Sequence, residues 1–190
     1  MPPAAQRRRR TDKPRREVIA EAAERVLAER GVEGLTHRAA AEAAGVPLGS
    51  TTYYFADRDD LIAAALERAV DRYAGYLRDW ASEHGNDTPH QAVESLVDAV
   101  MACFGEQREQ QTVELELYLA AARRPALRAL ADRFTELSLE ALAPYLDPVA
   151  SRVVISTMTG IILLGLAAQT PPHRDEVAQL LHYAVHTSTN

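Results

Sequence analysis

The sequence has a single cysteine among its 190 residues, Cys103, and little that predicts strands. One cysteine cannot form an internal disulfide or a zinc knuckle, which favours a reducing compartment. Alternating Val/Ile/Thr runs are absent, and the helix formers Ala, Leu, Glu and Arg dominate. The sequence also lacks a phosphate-binding glycine loop, a nucleophile elbow and a paired-carboxylate signature, so we expect no catalytic residues and no cofactor. Because Cys103 has no basic neighbour in sequence, we expect it to be a buried thiol.

Long apolar runs are also missing. No stretch approaches eighteen consecutive apolar residues, and the arginines near the N-terminus are not followed by an apolar segment. We therefore expect a soluble, cytoplasmic protein that is not exported and does not bind a membrane.

Charge is distributed unevenly along the chain. Residues 1–58 hold 11 Lys/Arg and 8 Asp/Glu, a net charge of +3, whereas residues 59–190 hold 10 and 19, a net charge of -9. The basic residues concentrate in a run made of Arg7 to Arg10, Lys13, Arg15 and Arg16. Such a run attracts a polyanion by counterion release, or it forms a solvated tail that only aids solubility.

Helical periodicity and the positions of proline and glycine predict an all-α fold of about nine helices. Thr36 is a suitable N-cap for the second helix, and Gly45 suits a left-handed helix end. Gly31 is expected to end the first helix. The expected spans are about 14–31, 36–44, 48–55, 57–83, 89–105, 109–123, 125–143, 149–169 and 173–187.

The second and third helices flank Ala44-Gly45-Val46 with the spacing of a helix-turn-helix, in which the second helix of the pair enters the major groove. The same spacing also occurs in plain helical corners. The presumed recognition helix, Leu48 to Tyr54, is small at its start and rich in hydroxyl groups that can reach bases or phosphates.

The residues of this segment resemble the N-terminal domain of the TetR family over roughly residues 14–66. The resemblance rests on Ala43-Ala44-Gly45-Val46, Gly49-Ser50, Tyr53-Tyr54-Phe55, Arg58 and Leu61. It implies a helix-turn-helix domain over 14–60, with the motif at about 37–56, between a disordered basic tail over 1–13 and a ligand-binding and dimerisation domain over 61–190. It also implies a repressor that binds a palindromic operator in double-stranded DNA as a homodimer.

The resemblance implies DNA contacts for particular residues. Gly49 permits close approach, Ser50 and Thr51 point toward bases or phosphates, and Arg58 matches a lysine that holds a phosphate at the start of helix 4. The full expected set is Thr36, His37, Arg38, Gly49, Ser50, Thr51, Thr52, Tyr53, Tyr54 and Arg58.

This chain departs from the family pattern at Pro47, Leu48 and Thr52, where the family often has Ser, Lys and Tyr. One phosphate cation and one aromatic contact are therefore missing. We hypothesise that Arg7 to Arg10 compensate by reaching the DNA backbone or the adjacent minor groove. Deleting residues 1–10 is then expected to weaken DNA binding and flatten its salt dependence, and an unchanged slope would reject the idea.

By resemblance, a small molecule enters a cavity among the middle helices, shifts helix 4 and changes the separation of the two recognition helices. Aromatic and methionine side chains commonly line adaptable pockets, although the same residues more often form ordinary core. The candidates for an apolar or amphipathic effector are Trp80, Met101, Phe104, Glu114, Leu117, Tyr118, Phe134 and Met158.

Two carboxylates interrupt an otherwise apolar helix, Glu114 and Glu116. Either one of them points inward, where a buried carboxylate would favour a cationic effector, or both are solvated or paired with Arg123 or Arg124.

The resemblance implies that the last two helices, over residues 149–187, form the dimer interface. The first of them is apolar nearly all round, as expected of a helix that is buried on both sides. His182 and His186 have the i, i+4 spacing of a metal-binding pair. No third ligand can be named from the sequence, so we expect a polar or dimer surface and no metal.

Two alternatives to the ligand-responsive repressor stay open. One is a DNA-binding regulator without a small-molecule effector, which an apolar cavity in the C-terminal domain would argue against. The other is a helical enzyme or carrier in which the helix-turn-helix is incidental.

Overall fold

The computed structural model describes residues 14–188, so the predicted basic tail over 1–13 lies outside the described residues. Within that range the chain forms nine α-helices, one short 3-10 helix at Pro125–Leu127 and no strand, which confirms the all-α prediction. The helices are α1 (Arg15–Gly34), α2 (His37–Ala44), α3 (Leu48–Tyr54), α4 (Arg58–His84), α5 (Pro89–Ala102), α6 (Arg108–Arg123), α7 (Arg128–Leu142), α8 (Pro148–Ala167) and α9 (Arg174–Ser188).

The chain divides into two compact units between residues 68 and 69, within α4. The predicted boundary at residue 60 is earlier in the same helix. The first unit therefore keeps Leu61, Ile62 and Leu66, whose side chains are fully buried. Together with buried Ala65, these apolar residues follow the i, i+1, i+4, i+5 pattern of one helical face, which is why the start of α4 belongs to the core of the first unit.

The first unit is built on α1, whose helical backbone is interrupted at Gly31, where the sequence predicted its end. Gly31 adopts φ 67° and ψ 177°, a backbone conformation that favours glycine, but the helix resumes through Gly34. Gly31 therefore ends the first helical segment of α1, as the sequence predicted, and a short second segment follows it across a kink. The buried side chains of this unit include Ile19, Ala23, Val26, Leu27, Leu35, Ala40 and Phe55.

The second unit holds a larger apolar core to which α4, α5, α7, α8 and α9 contribute. Two of its helices begin at clear caps: Thr88 and Gln91 form a capping box at α5, and the Asp147 carboxylate accepts from the backbone N–H groups of Val149 and Ala150 at α8. The core side chains include Trp80, Val97, Val100, Leu142, Val154, Ile162 and Leu181.

Within the described residues, α8 is the helix whose length and composition would suffice to cross a membrane, with 33% of the tested window buried. A buried helix of a soluble protein meets the same criterion, so this is weak evidence for a membrane span.

Candidate DNA interface and effector pocket

The turn between α2 and α3 has the geometry expected of a helix-turn-helix. Thr36 caps α2 by accepting a hydrogen bond from the backbone N–H of Ala39 at 3.1 Å. Gly45 ends α2 in the left-handed region, at φ 65° and ψ 38°, and Val46 N–H donates to the Ala41 carbonyl oxygen at 3.0 Å. These bonds satisfy the free helix ends and fix the direction in which α3 leaves the turn.

The exposed side chains of α3 are polar or aromatic except for Leu48, which is apolar and also exposed. Gly49, Thr52, Tyr53 and Tyr54 are exposed, and Tyr53 is 80% exposed. The two tyrosine rings meet edge to face, with centroids 5.0 Å apart. A Cβ added at Gly49 would meet no atom within 4 Å. The packing of the protein therefore does not require glycine at this position.

Thr51 faces the opposite way from these residues. It is 0% exposed, and its hydroxyl donates to the Leu48 carbonyl oxygen at 2.8 Å and lies 3.5 Å from the His37 carbonyl oxygen. The prediction that Thr51 points toward bases or phosphates is therefore wrong, because position 51 lies on the inner side of this short helix. Ser50 is half-buried.

The Arg58 side chain also makes its hydrogen bonds to other groups of the protein. Its Nε donates to the Leu35 carbonyl oxygen at 2.8 Å, and its Nη2 donates to the Val32 carbonyl oxygen at 2.7 Å and pairs with Glu33 at 3.3 Å. The predicted phosphate contact does not fit this arrangement, because the guanidinium is aimed at the carbonyl groups that follow the kink of α1. Asp57 caps α4 by accepting from the Asp60 N–H at 2.9 Å.

The three predicted residues at the start of α2 occupy different environments. Thr36 and Arg38 are exposed, whereas His37 is half-buried. The Nδ1 atom of His37 is buried and has no hydrogen-bond partner among the described residues. Among these three residues, Arg38 therefore places a positive charge on the protein surface.

The second unit contains a cavity of about 100 Å³ between α4, α5, α6, α7 and α8. Aromatic side chains supply much of its wall, together with one carboxylate, three glutamines and one thiol. These residues include Tyr73, Tyr76, Trp80, Tyr118, Phe134, Glu114, Gln107, Gln110, Gln111, Cys103 and Met158.

Five of the eight predicted effector residues line this cavity: Trp80, Glu114, Tyr118, Phe134 and Met158. Three do not, and for these the prediction is wrong. Leu117 is fully buried in the core, Met101 packs against the apolar core cluster, and the Phe104 ring lies against Gly165 of α8, where any Cβ would collide with it. These three side chains fill space between helices and leave none for a ligand.

Glu114 is the charged group of the cavity wall. It is 4% exposed, and Gln110 Nε2 donates to its Oε1 at 3.3 Å. Burial raises the pKa of Glu114 to about 7, although Gln110, Arg72 and Gln111 partly offset this effect. Of the two arrangements left open by the sequence, the one with an inward carboxylate is confirmed for Glu114.

Sequence analysis missed Tyr73, Tyr76 and the glutamines of the cavity. The Tyr73 hydroxyl lies 2.8 Å from Ser138 Oγ, and its ring stacks on Phe134 at 4.1 Å. Burial raises the pKa of Tyr73, so the hydroxyl stays protonated. A signal was present, since Tyr73, Tyr76 and Trp80 recur at helical spacing on α4, but the same pattern is typical of ordinary core.

Two further polar groups lie in this wall. The indole N–H of Trp80 is buried without a hydrogen-bond partner among the described residues. The Cys103 thiol is buried and lies 3.1 Å from Gln111 Oε1, and burial raises the pKa of Cys103 to about 12. The prediction of a buried thiol is confirmed.

Helices α8 and α9 present an apolar surface. Large apolar side chains are exposed on both helices, and Leu164 is 71% exposed. The group consists of Val149, Val153, Leu163, Leu164, Leu180 and Tyr183. An exposed apolar surface of this kind is typical of a protein interface.

A helix-turn-helix with an exposed second helix, in a chain whose other unit encloses an aromatic cavity, defines a helix-turn-helix regulator of transcription. Two family models match the chain: "Bacterial regulatory proteins, tetR family" over residues 19–65 and "Tetracyclin repressor-like, C-terminal domain" over residues 87–187. The chain belongs to the TetR family. Proteins of this family are DNA-binding transcriptional regulators that form dimers, and they are not enzymes.

Three similar proteins support the assignment of the chain to this family. The HTH-type transcriptional regulator PksA of Bacillus subtilis is 40% identical over 67 residues, which span 35% of this chain and 33% of PksA. A TetR-family member of Streptomyces coelicolor A3 (SCO1917) has a solved structure with a TM-score of 0.77 and 36% identity, covering 90% of this chain and 98% of that one. The multidrug binding protein EbrR complexed with ethidium gives a TM-score of 0.78 and 37% identity, covering 92% and 99%.

Proposed function

We propose that this protein is a cytoplasmic repressor that binds a palindromic operator as a homodimer and releases it when a small aromatic cation enters the cavity of the second unit. The observation that carries the proposal is the inward carboxylate of Glu114 in a wall rich in aromatic rings.

The chemistry of the wall favours a flat cation. Rings such as those of Tyr73, Trp80 and Phe134 can stack on a planar ligand and attract positive charge through their faces. Glu114 supplies the opposite charge in a poorly hydrated environment, where an ion pair is strong. EbrR has been solved with the dyes ethidium, proflavin and malachite green, which supports the assignment of the same ligand class here.

The raised pKa of Glu114 supports a ligand that is recognised by its positive charge as well as by its shape. With a pKa of about 7, the side chain is partly neutral at neutral pH, which reduces the cost of burying it without a ligand. A bound cation stabilises the ionised form, so the proton is lost on binding. Affinity for a cationic dye is therefore expected to rise with pH between about 6 and 8.

The size of the cavity supports a conformational response. At about 100 Å³ it is smaller than the roughly 300 to 1,000 Å³ of pockets that hold drug-sized ligands. A three-ring ligand must therefore push the wall outward, and Tyr73, Tyr76 and Trp80 are carried by α4. We propose that movement of α4 changes the separation of the two recognition helices, which must match half-sites about 34 to 36 Å apart or a multiple of it.

On the DNA side, the exposed face of α3 supports contact with the major groove. Gly49, Thr52 and Tyr53 are the residues of α3 proposed to approach bases and phosphates, with half-buried Ser50 and exposed Tyr54 beside them. Arg38 and Thr36 at the start of α2 are proposed to lie near the backbone.

The apolar surface of α8 and α9 is the proposed dimer interface. Its exposed side chains lie within the predicted range 149–187. Burying these side chains against a second copy would contribute about 25 cal/mol for each Å² of apolar area removed from water.

The experiment selects bound fragments from random duplex DNA and then measures dye-induced release by fluorescence anisotropy. Binding of ethidium or proflavin is followed in parallel by quenching of Trp80, the single tryptophan of the chain, which lines the cavity. We expect a palindrome bound by a dimer and released by the dye. Glu114→Gln is expected to weaken dye binding about tenfold or more, because it removes the charge that the cation faces.

The matched control is Glu116→Gln, which removes the same charge two residues away on α6 at a position outside the cavity wall. It is expected to leave dye affinity within about twofold, the change associated with a surface charge. A specific palindrome that no dye releases would favour a regulator without a small-molecule effector. Weak, non-palindromic binding lost with salt would reject the repressor itself.

A further inference from the structure

Three metal-ligating side chains meet on the surface of the second unit, away from the cavity. His90 and Glu94 lie one turn apart on α5, and His182 comes from α9. The ligand atoms of the three residues all lie within 4.8 Å of one another. His182 Nε2 is 2.8 Å from Glu94 Oε1, and the rings of His90 and His182 are 5.0 Å apart.

This set of donors has the composition of a transition-metal site. Two imidazole nitrogens and one carboxylate oxygen match a ligand set that binds Zn²⁺ and leaves one position open for water. Bonds of 2.0 to 2.2 Å place tetrahedral ligands about 3.3 Å apart, so the longest separation must close by roughly 1.5 Å. His90 is exposed, and rotation of its side chain can supply this movement.

We propose that His90, Glu94 and His182 form a binding site for a divalent transition metal, Zn²⁺ in the first instance, that joins α5 to α9. The metal replaces the hydrogen bond between His182 and Glu94, and His182 Nε2 then carries a lone pair toward the ion. The proton of the imidazole resides on Nδ1 in that state.

Arg174 is the residue that competes with a metal for Glu94. Its Nη2 lies 3.2 Å from Glu94 Oε2 and 2.9 Å from Asp98 Oδ1. Arg174 donates a hydrogen bond to one oxygen of the Glu94 carboxylate, and His182 Nε2 lies within hydrogen-bond distance of the other. Removing the guanidinium takes away a positive charge beside the site and frees one carboxylate oxygen.

His186 is not a member of the site, although its spacing from His182 first suggested a metal-binding pair. Its ring lies 6.5 Å from that of His182, and its ligand atoms fall outside the cluster. The partner of His182 lies on another helix, which sequence spacing along α9 could not reveal.

A metal at this position would fix α9 against α5. α9 also carries Leu180 and Tyr183, two side chains of the proposed dimer surface. A ligand that binds the folded state alone raises its stability, so Zn²⁺ at a hundredfold excess over its Kd is expected to raise the unfolding midpoint by about 5 to 10 °C.

The experiment is isothermal titration of the full chain, free of any histidine tag, with ZnCl2. The expected result is one ion bound for each chain. His90→Ala, Glu94→Gln and His182→Ala are each expected to weaken binding by roughly tenfold or more. Arg174→Ala is expected to strengthen binding, because it removes the competing cation. Neither result depends on DNA or on an organic effector.

The matched control is His186→Ala, which removes an imidazole from the same helix but outside the cluster. It is expected to retain the affinity of the natural chain for Zn²⁺. Absence of binding at 100 µM ZnCl2, or binding that survives in all three ligand variants, would overturn the proposal. Circular dichroism of each variant establishes that the loss of metal does not reflect unfolding.

Discussion

The guanidinium of Arg58 donates through Nη2 to the carbonyl oxygen of Val32 over 2.7 Å. A second bond, from Nε to the Leu35 carbonyl oxygen at 2.8 Å, ties the start of α4 to the chain that follows the kink of α1. We expect Arg58→Ala to lower the free energy of unfolding by about 2 kcal/mol, because two carbonyl groups in part-buried hydrogen bonds lose a charged donor. Urea denaturation measures this effect.

The competing role for Arg58 makes a different prediction. If the residue held a DNA phosphate instead, Arg58→Ala would leave stability unchanged and reduce the slope of log affinity against log salt by about one. Loss of stability with an unchanged salt slope establishes the structural role.

Thr51 and Thr52 are adjacent residues with opposite environments. Thr51→Val removes a hydroxyl that is fully buried and hydrogen-bonded, so we expect it to lower stability by about 1 kcal/mol. Thr52→Val alters an exposed side chain, so we expect a change within about 0.5 kcal/mol in stability and a loss of affinity for the selected operator. Parallel denaturation and anisotropy measurements compare the two. Equal effects of both variants on stability would contradict the assignment.

Gly49→Ala separates folding from DNA binding. The added Cβ meets no atom of the protein, and alanine is a better helix former than glycine, so stability is expected to rise by up to about 1 kcal/mol. Operator affinity is expected to fall, because the methyl group occupies the space through which DNA is proposed to approach. A variant that is more stable and binds DNA as well as the natural chain would show that close approach at this position is not needed.

Glu114 is expected to make stability depend on pH. Its pKa of about 7 in the folded chain exceeds the 4.5 of an ordinary glutamate, so the folded state binds the proton more tightly. The stabilisation of the folded chain by the protonated Glu114 side chain is complete below about pH 4.5. It falls as the pH rises toward 7 and is lost above that pH, with a total on the order of 3 kcal/mol. Denaturation of the natural chain and of Glu114→Gln across this range measures it, and the difference in free energy of unfolding between them should change with pH in this direction. A difference independent of pH would exclude a raised pKa.

The proposed dimer can be tested at Leu164. Leu164→Glu places a charge on a side chain that is 71% exposed on α8, and we expect sedimentation velocity to report a monomer. Leu119→Glu is the matched control, since Leu119 is 58% exposed on α6, outside the α8 and α9 surface. Monomers from both variants would point to a general loss of structure, whereas dimers from both would reject the α8 surface as the interface.

The sequence by itself predicted the features that depend only on residues close to one another along the chain. Thr36 and Gly45 predicted the ends of α2 because capping and left-handed backbone are local properties. Proline and glycine marked most helix boundaries, and the motif from Ala43 to Arg58 identified the family. Gly31 also interrupts the helical backbone where the sequence predicted, but the short helical segment that follows it through Gly34 was not predicted.

Tertiary structure decided which face of each helix is enclosed. Helical spacing could not distinguish Leu117, which fills the core, from Phe134, which lines the cavity, because both are apolar residues on the inner faces of helices. It could not direct Arg58 to the carbonyl groups of Val32 and Leu35, or bring His182 beside Glu94, 88 residues away. Such pairs are fixed by the packing of helices distant in sequence, and the pattern along any one helix does not contain that information.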